Sequence, residues 1–484
     1  MATDLNQQLS ASGVAQVIVV LKSPAPPPAA MAASAISGGV PLAAVVASAP
    51  HLGGMEAYFV NSEMSLNHAL AMAEMSSVAT MSRATTRASR GKTPPTVLHF
   101  PNLGLMLGTV NRDSLAALRK DDRVEKVTAA PQPRLIRPVR VAAARLQTQI
   151  TWGIKFLDVP KLWAQGLTGK GVRVGHLDTG ADGKHPALKK AIFSFAEFDS
   201  FGVQISPAPK PHDTDEHGTH TAATIAGRPV QGRSIGVAQG ADLVSAIVIE
   251  GGNVIARILG GMDWAVSQNV RVLSLSLGIP FSPPLSDFNV ILQILRARNV
   301  LPIVAVGNEG PGTSRPPGNH PEPISVGAID QNQTVADFSS SQRFNRTVDP
   351  LVPDLVAPGV DIISAKPGGG FQSMDGSSMA TPHIAGLAAL LFEAVPGAPI
   401  SDVENAIYSS CALAGIPPER GNRGFPNAVR ALEALTGTPI ARTPAKVMGG
   451  SKKGSSKSAS KKRASRDTSK ESSSKKSAKK KRQG

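Results

Sequence analysis

Short apolar runs alternate with amphipathic stretches through the centre of the chain. Aliphatic runs of strand length occur at 172–177, 243–249, 270–277 and 300–306. Stretches with apolar residues at helical spacing lie between them, for example at 254–267 and 289–298. Strands that alternate with helices in this way predict an α/β fold, with a mostly parallel sheet covered by helices on both faces. We expect this domain to cover residues 152–437.

The first 130 residues follow a different pattern, and we expect a small α+β domain over 1–130. Its predicted elements are strands at 14–22, 103–110 and 124–128, a helix at 111–120, a loop at 24–54 and a helix at 62–90. Asn111 or Asp113 would cap the helix that begins near residue 111. The loop is rich in Pro, Ala and Gly, whereas the segment at 62–90 is rich in Met, Ala and Ser.

Two further segments do not have the pattern of a packed domain. Residues 131–151 contain three prolines and four arginines, which predict an extended linker. Residues 438–484 consist largely of Lys, Ser and Ala and cannot form a core, so we expect a disordered tail.

The positive charge of the chain is concentrated in this tail. From Arg442 to the end there are 16 Lys and Arg residues against two acids, so +14 of the formal net charge of +16 belongs to this segment. The tail could contact polyanions, or it could be only a solvated extension. It contains no aromatic residue, so we expect it to read no nucleotide sequence.

The sequence gives little indication of where the protein acts. The first residues lack a basic region followed by an apolar run, so no signal peptide is visible. The longest stretch without charged residues is interrupted by prolines, and we expect no membrane span. We therefore expect cytoplasmic synthesis, with either export by a non-standard route or a role inside the cell. The single cysteine, Cys411, is expected to be a small buried hydrophobe without chemistry.

Two segments carry candidate acid–base chemistry. The strand at 172–177 runs into Asp178, at the sheet edge where α/β folds place functional groups. Alone, such an Asp often only forms a turn. His217 begins a helix of small residues and could act as a general base. We expect His220, most of a turn further along, to be structural.

Two other segments carry a candidate nucleophile and a candidate oxyanion donor. Ser378 follows Gly376 and Ser377 at the start of a helix, where free N–H groups suit a serine whose attack creates an oxyanion. Asn308 lies on a Gly-flanked turn after a buried strand and could donate to that oxyanion. A helix cap and a turn residue are the simpler interpretations of the two.

Together, in the order Asp, His, Asn, Ser, these segments resemble the motifs of the subtilisin-like serine protease family over about residues 150–435. The resemblance implies that Ser378 is the nucleophile, His217 its base and Asp178 the residue that orients the imidazole. Asn308 would be the oxyanion donor. It implies a serine endopeptidase that acts on proteins or peptides. The alternative is a polyanion-binding protein that uses the fold only as a scaffold, and the presence of all four residues favours the enzyme.

The resemblance also extends to substrate-binding residues. Ser276, Leu277 and Gly278 match the edge strand with which the substrate backbone pairs in this family. Gly307 is counted with them, because it precedes Asn308.

The 1–130 domain resembles, more weakly, the inhibitory propeptide of the family. The matching segments are VIVVLK and LGTVNRDSLAALRKDDRVEKV. This implies a self-processing zymogen that is cut within 131–151 and inhibited by its own propeptide. The alternative is an unrelated N-terminal binding domain.

The sequence departs from the family in two places. Ala187 stands where many members have a calcium-binding carboxylate, and Arg228 and Arg233 stand where oxygen ligands would be expected. We therefore assign no metal ligand and expect the commonest calcium site to be absent, although calcium could bind elsewhere.

The resemblance also implies that Arg315 falls near the wall of the main specificity pocket. We expect it to point outward, whereas an inward orientation would favour acidic or polar substrate side chains.

Overall fold

The computed structural model describes residues 5–22, 39–41, 50–60, 82–280 and 288–439. The predicted loop at 24–54 and helix at 62–90 lie largely outside these residues, and so does the predicted tail from residue 440 on. Within the described ranges, no helix is both long and apolar enough to cross a membrane.

An antiparallel five-stranded sheet forms the N-terminal part. Its strands are β1 (Ala15–Leu21), β2 (Val40–Pro41), β3 (Val97–Phe100), β4 (Leu105–Val110) and β5 (Val124–Ala129), in the order β2-β3-β4-β1-β5. Its helices are α1 (Leu5–Ser12), α2 (Arg83–Ser89) and α3 (Arg112–Leu118), with 3-10 turns at Pro50–Leu52 and Met55–Tyr58. The three predicted strands and the helix at 111–120 are confirmed. The Asn111 side chain caps α3 by accepting from Ser114 N at 2.8 Å.

Seven parallel strands form the central sheet. They are β8 (Arg173–Asp178), β9 (Ile192–Glu197), β10 (Asp242–Ile247), β11 (Val272–Leu275), β13 (Leu301–Ala305), β14 (Ile324–Ile329) and β17 (Leu355–Pro358). Their order is β17-β14-β13-β11-β8-β10-β9, so the predicted α/β class and parallel sheet are confirmed. The order reverses between β8 and β11, and open α/β sheets place their sites at such a reversal.

Helices cover both faces of this sheet. The longer ones are α6 (His217–Ala226), α7 (Val254–Ser267), α8 (Phe288–Ala297), α9 (Ser377–Ala394), α10 (Ile400–Ser409) and α12 (Ala428–Thr436). The short ones are α4 (Trp152–Phe156), α5 (Val159–Trp163) and α11 (Pro418–Gly421). α7 has the predicted bounds of 254–267, and 12 of its 14 residues are buried, so it is covered on nearly every side.

The N-terminal sheet packs against the central domain. Alternate residues of a strand point to opposite faces, so β1 takes part in two apolar clusters. Val17 and Val19 belong to the cluster formed with the N-terminal helices. Ile18 and Val20 belong to a cluster that includes Leu259 of α7. The domain boundaries predicted at 130, 151 and 437 stay predictions.

The segment predicted as a linker, 131–151, is extended, and its two strands pair with other parts of the chain. β6 (Arg134–Leu135) pairs antiparallel with β12 (Leu277–Gly278). β7 (Arg140–Ala144) pairs with β19 (Phe371–Asp375), which also pairs with β18 (Ile362–Ala365). A further hairpin consists of β15 (Gln342–Arg343) and β16 (Leu351–Val352). Composition predicts extension but does not predict which strand a segment joins.

Candidate active site

The end of β8 and the start of α6 bring two of the predicted residues together. Asp178 is the last residue of β8 and His217 the first of α6. His217 Nδ1 donates to Asp178 Oδ1 at 2.7 Å. The helix can approach this closely because Gly218 has no side chain. A methyl group there would lie 2.9 Å from Thr179 Oγ1 and closer still to the carbonyl oxygen of Gly180.

Burial and mutual attraction set the charges of this pair. Both side chains are almost completely buried. Burial alone would raise the pKa of Asp178, but attraction to His217 and their hydrogen bond outweigh it and lower that pKa. Burial alone would lower the pKa of His217, but the Asp178 carboxylate outweighs it and raises that pKa. Asp178 therefore stays ionised beside an imidazole that accepts a proton readily.

A buried histidine that the sequence did not single out supports Asp178 from behind. His176 lies two residues before Asp178 on β8, so both side chains point to the same face. Its Nδ1 lies 3.0 Å from Ser245 Oγ and its Nε2 lies 2.9 Å from Thr221 Oγ1. Burial lowers the pKa of His176 to about 4, so it is neutral near pH 7. Thr221 Oγ1 in turn lies 3.2 Å from Asp178 Oδ2, which links the three side chains.

Asp213 joins the strand end to the helix start, and sequence reasoning also missed it. One of its carboxylate oxygens accepts from Thr179 Oγ1 at 2.8 Å. The other accepts from both the N–H and the hydroxyl of Thr219 at 2.6 Å. Thr179 follows Asp178, and Thr219 lies two residues after His217, so one carboxylate fixes both segments. Burial raises the pKa of Asp213 to about 6.

Ser378 lies at the start of α9, where it is fully buried. Its hydroxyl donates to the carbonyl of Ile136, with Oγ and O 2.7 Å apart. His217 Nε2 is also buried and has no hydrogen-bond partner in the part of the chain that the structure describes. The structure therefore shows Ser378 bonded to the linker rather than to His217.

The Asn308 amide has a fixed orientation. Its Oδ1 accepts from the N–H and the hydroxyl of Ser377, both at 2.8 Å. Its Nδ2 therefore faces the cleft, where it donates to the carbonyl of Arg137 at 2.9 Å. Gly307 precedes this turn, and its N–H lies 3.3 Å from Ser377 Oγ.

The linker lies in the cleft as an added strand. Leu135 lies opposite Leu277 and Arg134 opposite Gly278 in the β6–β12 pair. The Ile136 N–H continues this pairing by donating to the carbonyl of Ser276 at 3.1 Å. Ser276, Leu277 and Gly278, three of the four predicted substrate-binding residues, thus pair with the chain's own residues 134–136. Ile136 is fully buried in this position.

Arg315 does not point outward, so that prediction is wrong. Only 14% of its side chain is exposed, and its guanidinium forms an ion pair with Glu309. Its backbone N–H donates to Val306 O at 2.9 Å, which holds the residue against the end of β13. Composition could not predict this orientation, because it depends on a partner six residues away and on the space beside two glycines.

The region where the family often binds calcium contains an arginine. Arg228 Nη1 donates to the carbonyls of Gln239 and Ala241, both at 2.7 Å, and Nη2 donates to Lys190 O at 3.1 Å. The guanidinium therefore already donates hydrogen bonds to the carbonyl oxygens of this region. Ala187 is buried and offers no side-chain oxygen.

Burial keeps two residues that the sequence analysis set aside in their uncharged forms. His220 is buried, its Nε2 lies 2.8 Å from Ile362 O, and burial lowers its pKa to about 3. Burial raises the pKa of the Cys411 thiol to about 12, so it carries no thiolate near pH 7.

The chain is similar to known proteins over its central domain. The model of the Subtilase family matches residues 169–432. The thermostable alkaline protease of Halalkalibacterium halodurans is 31% identical over 342 residues, which is 70% of this chain and 86% of that protein. An intracellular serine protease of Paenibacillus polymyxa is 38% identical over 253 residues, 50% of this chain and 73% of that protein. The major intracellular serine protease of Bacillus subtilis is 35% identical over 249 residues, 49% of this chain and 74% of that protein.

Proposed function

Because the chain belongs to the subtilase family and is a serine endopeptidase, we propose that Asp178, His217 and Ser378 form its catalytic triad. The observation that carries this proposal is the 2.7 Å hydrogen bond between His217 and Asp178. Ser378 Oγ attacks the carbonyl carbon of the substrate peptide bond while His217 Nε2 takes its proton. His217 then gives that proton to the leaving amine. Asp178 keeps Nδ1 protonated and stabilises the imidazolium.

Asn308 and the start of α9 stabilise the oxyanion in this mechanism. The bonds from Ser377 to Asn308 Oδ1 leave Nδ2 as the donor that faces the cleft. The backbone N–H of Ser378 is one of the first N–H groups of α9, which have no partner within the helix. The two donors act together on the charge that develops on the carbonyl oxygen.

The substrate binds as a strand antiparallel to Ser276, Leu277 and Gly278. The pairing of β6 with β12 supports this, because it shows that this edge accepts a chain of ordinary sequence. Gly307 lies next to the oxyanion donor, where a side chain would narrow the cleft. A methyl group on Gly307 would lie 2.8 Å from Ser340 Oγ.

The N-terminal domain acts as an inhibitory propeptide, and the chain cuts itself between Ile136 and Arg137. Ser378 Oγ contacts the carbonyl of Ile136, which makes this the peptide bond beside the nucleophile. Asn308 Nδ2 bonds the next carbonyl, that of Arg137, instead of the carbonyl that would be attacked. The nucleophile and the oxyanion donor therefore engage different residues, which fits a slowly cleaved inhibitor.

Carboxylates of the central domain hold the proposed propeptide in place. Asp263 on α7 accepts from the N–H groups of Asn102 and Leu103 at 2.7 and 3.1 Å. Asp263 is fully buried, so its oxygens are shielded from water and need hydrogen-bond donors such as these.

A second buried contact lies at α2. Thr85 Oγ1 donates to Glu197 Oε1 at 2.7 Å, and it lies 3.2 Å from Glu250 Oε2. The fully buried Arg257 pairs with Glu250 at 2.9 Å and offsets part of this charge. Departure of the propeptide would break these contacts, and hydration of the exposed charged groups would offset part of the loss once the linker is cut.

Self-processing tests the triad and the propeptide together. The wild type and Ser378→Ala are incubated, and intact masses and new N-termini are determined. We expect the wild type alone to release a fragment that ends at Ile136. If neither is cut, but the wild type alone degrades added casein, the propeptide proposal fails and the triad stands. If the two proteins behave identically on every substrate, the triad proposal is wrong and the polyanion-binding scaffold is favoured.

We also propose that calcium does not bind at the commonest site of the family, because Arg228 donates to the carbonyl oxygens there. If calcium binds elsewhere, adding calcium should raise the melting temperature of the wild-type protein. Thermal unfolding with calcium and with a chelator measures this difference.

The basic tail is proposed to contact polyanions, and the protein to act inside the cell or after non-standard export. The 16 Lys and Arg residues of the tail support the first proposal. Two relatives are named as intracellular proteases, which supports the second. Deletion of 442–484 should abolish retention on DNA or anionic resin at low salt, and unchanged retention would refute the tail proposal. Cell fractionation tests the location.

A further inference from the structure

Arg315 and Glu309 form a charge pair beside the cleft that the proposed mechanism does not use. Arg315 packs between the two backbone segments that bind the substrate. A methyl group on Gly278 would lie 2.8 Å from Arg315 Cβ, and one on Gly307 would lie 3.3 Å from Arg315 Cγ. Both glycines thus leave room for the Arg315 side chain. The charge pair therefore forms a wall of the space between β12 and the oxyanion turn.

The register of the linker shows which substrate residue faces this wall. Gly278 lies opposite Arg134 in the β6–β12 pair. Side chains alternate along a strand, so Ile136 lies on the same face as Arg134 and as the missing side chain of Gly278. That face of Gly278 is the one next to Arg315. Leu135 lies on the opposite face, where it belongs to an apolar cluster with Leu277.

The residue at the position of Ile136 is the one whose carbonyl is attacked. Its N–H bonds the carbonyl of Ser276, and its own carbonyl contacts the Ser378 hydroxyl. Its side chain is fully buried. Whatever side chain replaces it in a protein substrate therefore meets the wall formed by Arg315, out of contact with water.

One N–H donor of the Arg315 guanidinium is not used by the ion pair with Glu309. Arg315 Nη2 bonds Glu309, whereas Arg315 Nε is buried and has no hydrogen-bond partner among the described residues. Glu309 is itself anchored, because its Oε2 accepts from Asn308 N at 3.1 Å and lies 3.3 Å from Ser340 Oγ. It cannot easily turn to satisfy Nε. A buried donor without a partner is costly, and a substrate carboxylate would satisfy it.

We propose that Arg315 makes this endopeptidase prefer Asp or Glu on the acyl side of the cleaved bond, at the position that Ile136 occupies. The inference rests on the proposed function and deepens it, because it names the class of substrate. A Lys or Arg side chain would meet a like charge there. An aliphatic side chain leaves the Nε donor unpaired. Ile136 is therefore a poorly matched occupant, which suits a segment that has to stay in the cleft.

Peptides that differ only at this position test the preference. The full chain, incubated to allow self-processing, is assayed on peptides with Glu, Gln, Ile or Lys there. We expect kcat/KM for Glu to exceed that for Gln by about tenfold or more, because charge-assisted hydrogen bonds are the stronger class. Gln has nearly the same shape, so this ratio reports the charge. A wild type that cuts the Gln or Ile peptide faster than the Glu peptide overturns the proposal.

Two variants separate specificity from general damage. Arg315→Gln should lose the preference for Glu while it still cuts the Gln and Ile peptides. Glu309→Gln should increase the preference, because the competing carboxylate is gone. The control Arg298→Gln removes a charge from an exposed position and should leave the ratio unchanged. A ratio that is the same in all four proteins contradicts the role of Arg315, whatever its value.

A variant of the linker gives a second readout within the full chain. Ile136→Glu should release the propeptide faster than Ile136→Leu, since only Glu supplies the missing carboxylate. Equal or slower release by Ile136→Glu would count against the proposal.

A fluorophosphonate probe distinguishes failure of this inference from failure of the proposed function. If Ser378 is labelled and peptides are cut without preference for Glu, only this inference fails. If no peptide is cut and Ser378 is not labelled, the proposed function fails first and the inference with it.

Discussion

Gly218 lies where the start of α6 packs closely against the backbone that follows β8, and Gly218→Ala tests the importance of this close packing. Gly218 lies between His217 and Thr219, and its N–H donates to Thr179 Oγ1 at 3.0 Å. An added methyl group would lie 2.9 Å from Thr179 Oγ1 and would overlap the carbonyl oxygen of Gly180. Backbone atoms form this obstacle, so no side-chain rotation removes it.

The expected losses of stability and of catalytic rate in Gly218→Ala follow from these distances. Carbon–oxygen contacts are ordinarily about 3.3 Å or longer, so α6 has to move away from the end of β8 by roughly 1 Å. The His217–Asp178 bond is 2.7 Å long and would then exceed the normal range of a hydrogen bond. Overpacking of this kind costs about 1–3 kcal/mol of stability. A misplacement of about 1 Å in a catalytic group costs on the order of 10²-fold in rate.

Casein hydrolysis at equal concentrations of folded protein, together with thermal unfolding followed by circular dichroism, measures both effects. Gly397→Ala is the matched control, because an added methyl group there has no neighbour within 4 Å. We expect the control to match the wild type in both measurements. If Gly218→Ala hydrolyses casein at the wild-type rate, the close approach of α6 is not what positions His217, and the reasoning fails.

Four further changes have expected outcomes. Asn308→Ala should lower kcat by about 10²–10³-fold, a magnitude taken from subtilisin, and leave KM nearly unchanged. An increase in KM as large as the decrease in kcat would contradict the oxyanion role. The raised pKa of His217 means that kcat/KM should increase as the pH rises through a value above 6.5, and a pH profile that is flat there would refute His217 as the base. Burial raises the pKa of Asp213 from 3.8 to about 6, so the native protein holds this proton more tightly than the unfolded chain does. The free energy of unfolding of the wild type should therefore fall by up to ~3 kcal/mol, relative to that of Asp213→Asn, as the pH rises across this window in urea titrations. Arg228→Ala leaves carbonyls unpaired and should lower the melting temperature; an unchanged melting temperature would refute the proposal that the Arg228 guanidinium stabilises this region in place of a cation.

The sequence predicts the parts of the molecule that local pattern determines. The helix at 254–267 and the strand that ends at Asp178 follow from their apolar periods. The sequence points to His217 and Ser378 because each lies at the start of a helix rich in small residues. The structure places His217 against Asp178. Each of these features depends on neighbours within a few residues along the chain.

The features that the sequence did not predict depend on distant parts of the chain. His176 and Asp213 take their roles from Ser245, Thr221 and Thr219, which only the fold brings near. The linker is extended for reasons of composition, but its place beside β12 depends on an edge 142 residues away, since Leu135 pairs with Leu277. No local signal specifies such a partner.

The central claim is that Ser378 is the nucleophile of a serine endopeptidase. Its most direct test is labelling with diisopropyl fluorophosphate after self-processing, followed by peptide mapping and casein hydrolysis. We predict that the wild type carries the label on Ser378 alone and loses its activity in proportion to labelling, and that Ser378→Ala neither takes the label nor hydrolyses casein. Label on another residue, or hydrolysis by Ser378→Ala at the wild-type rate, would contradict the claim.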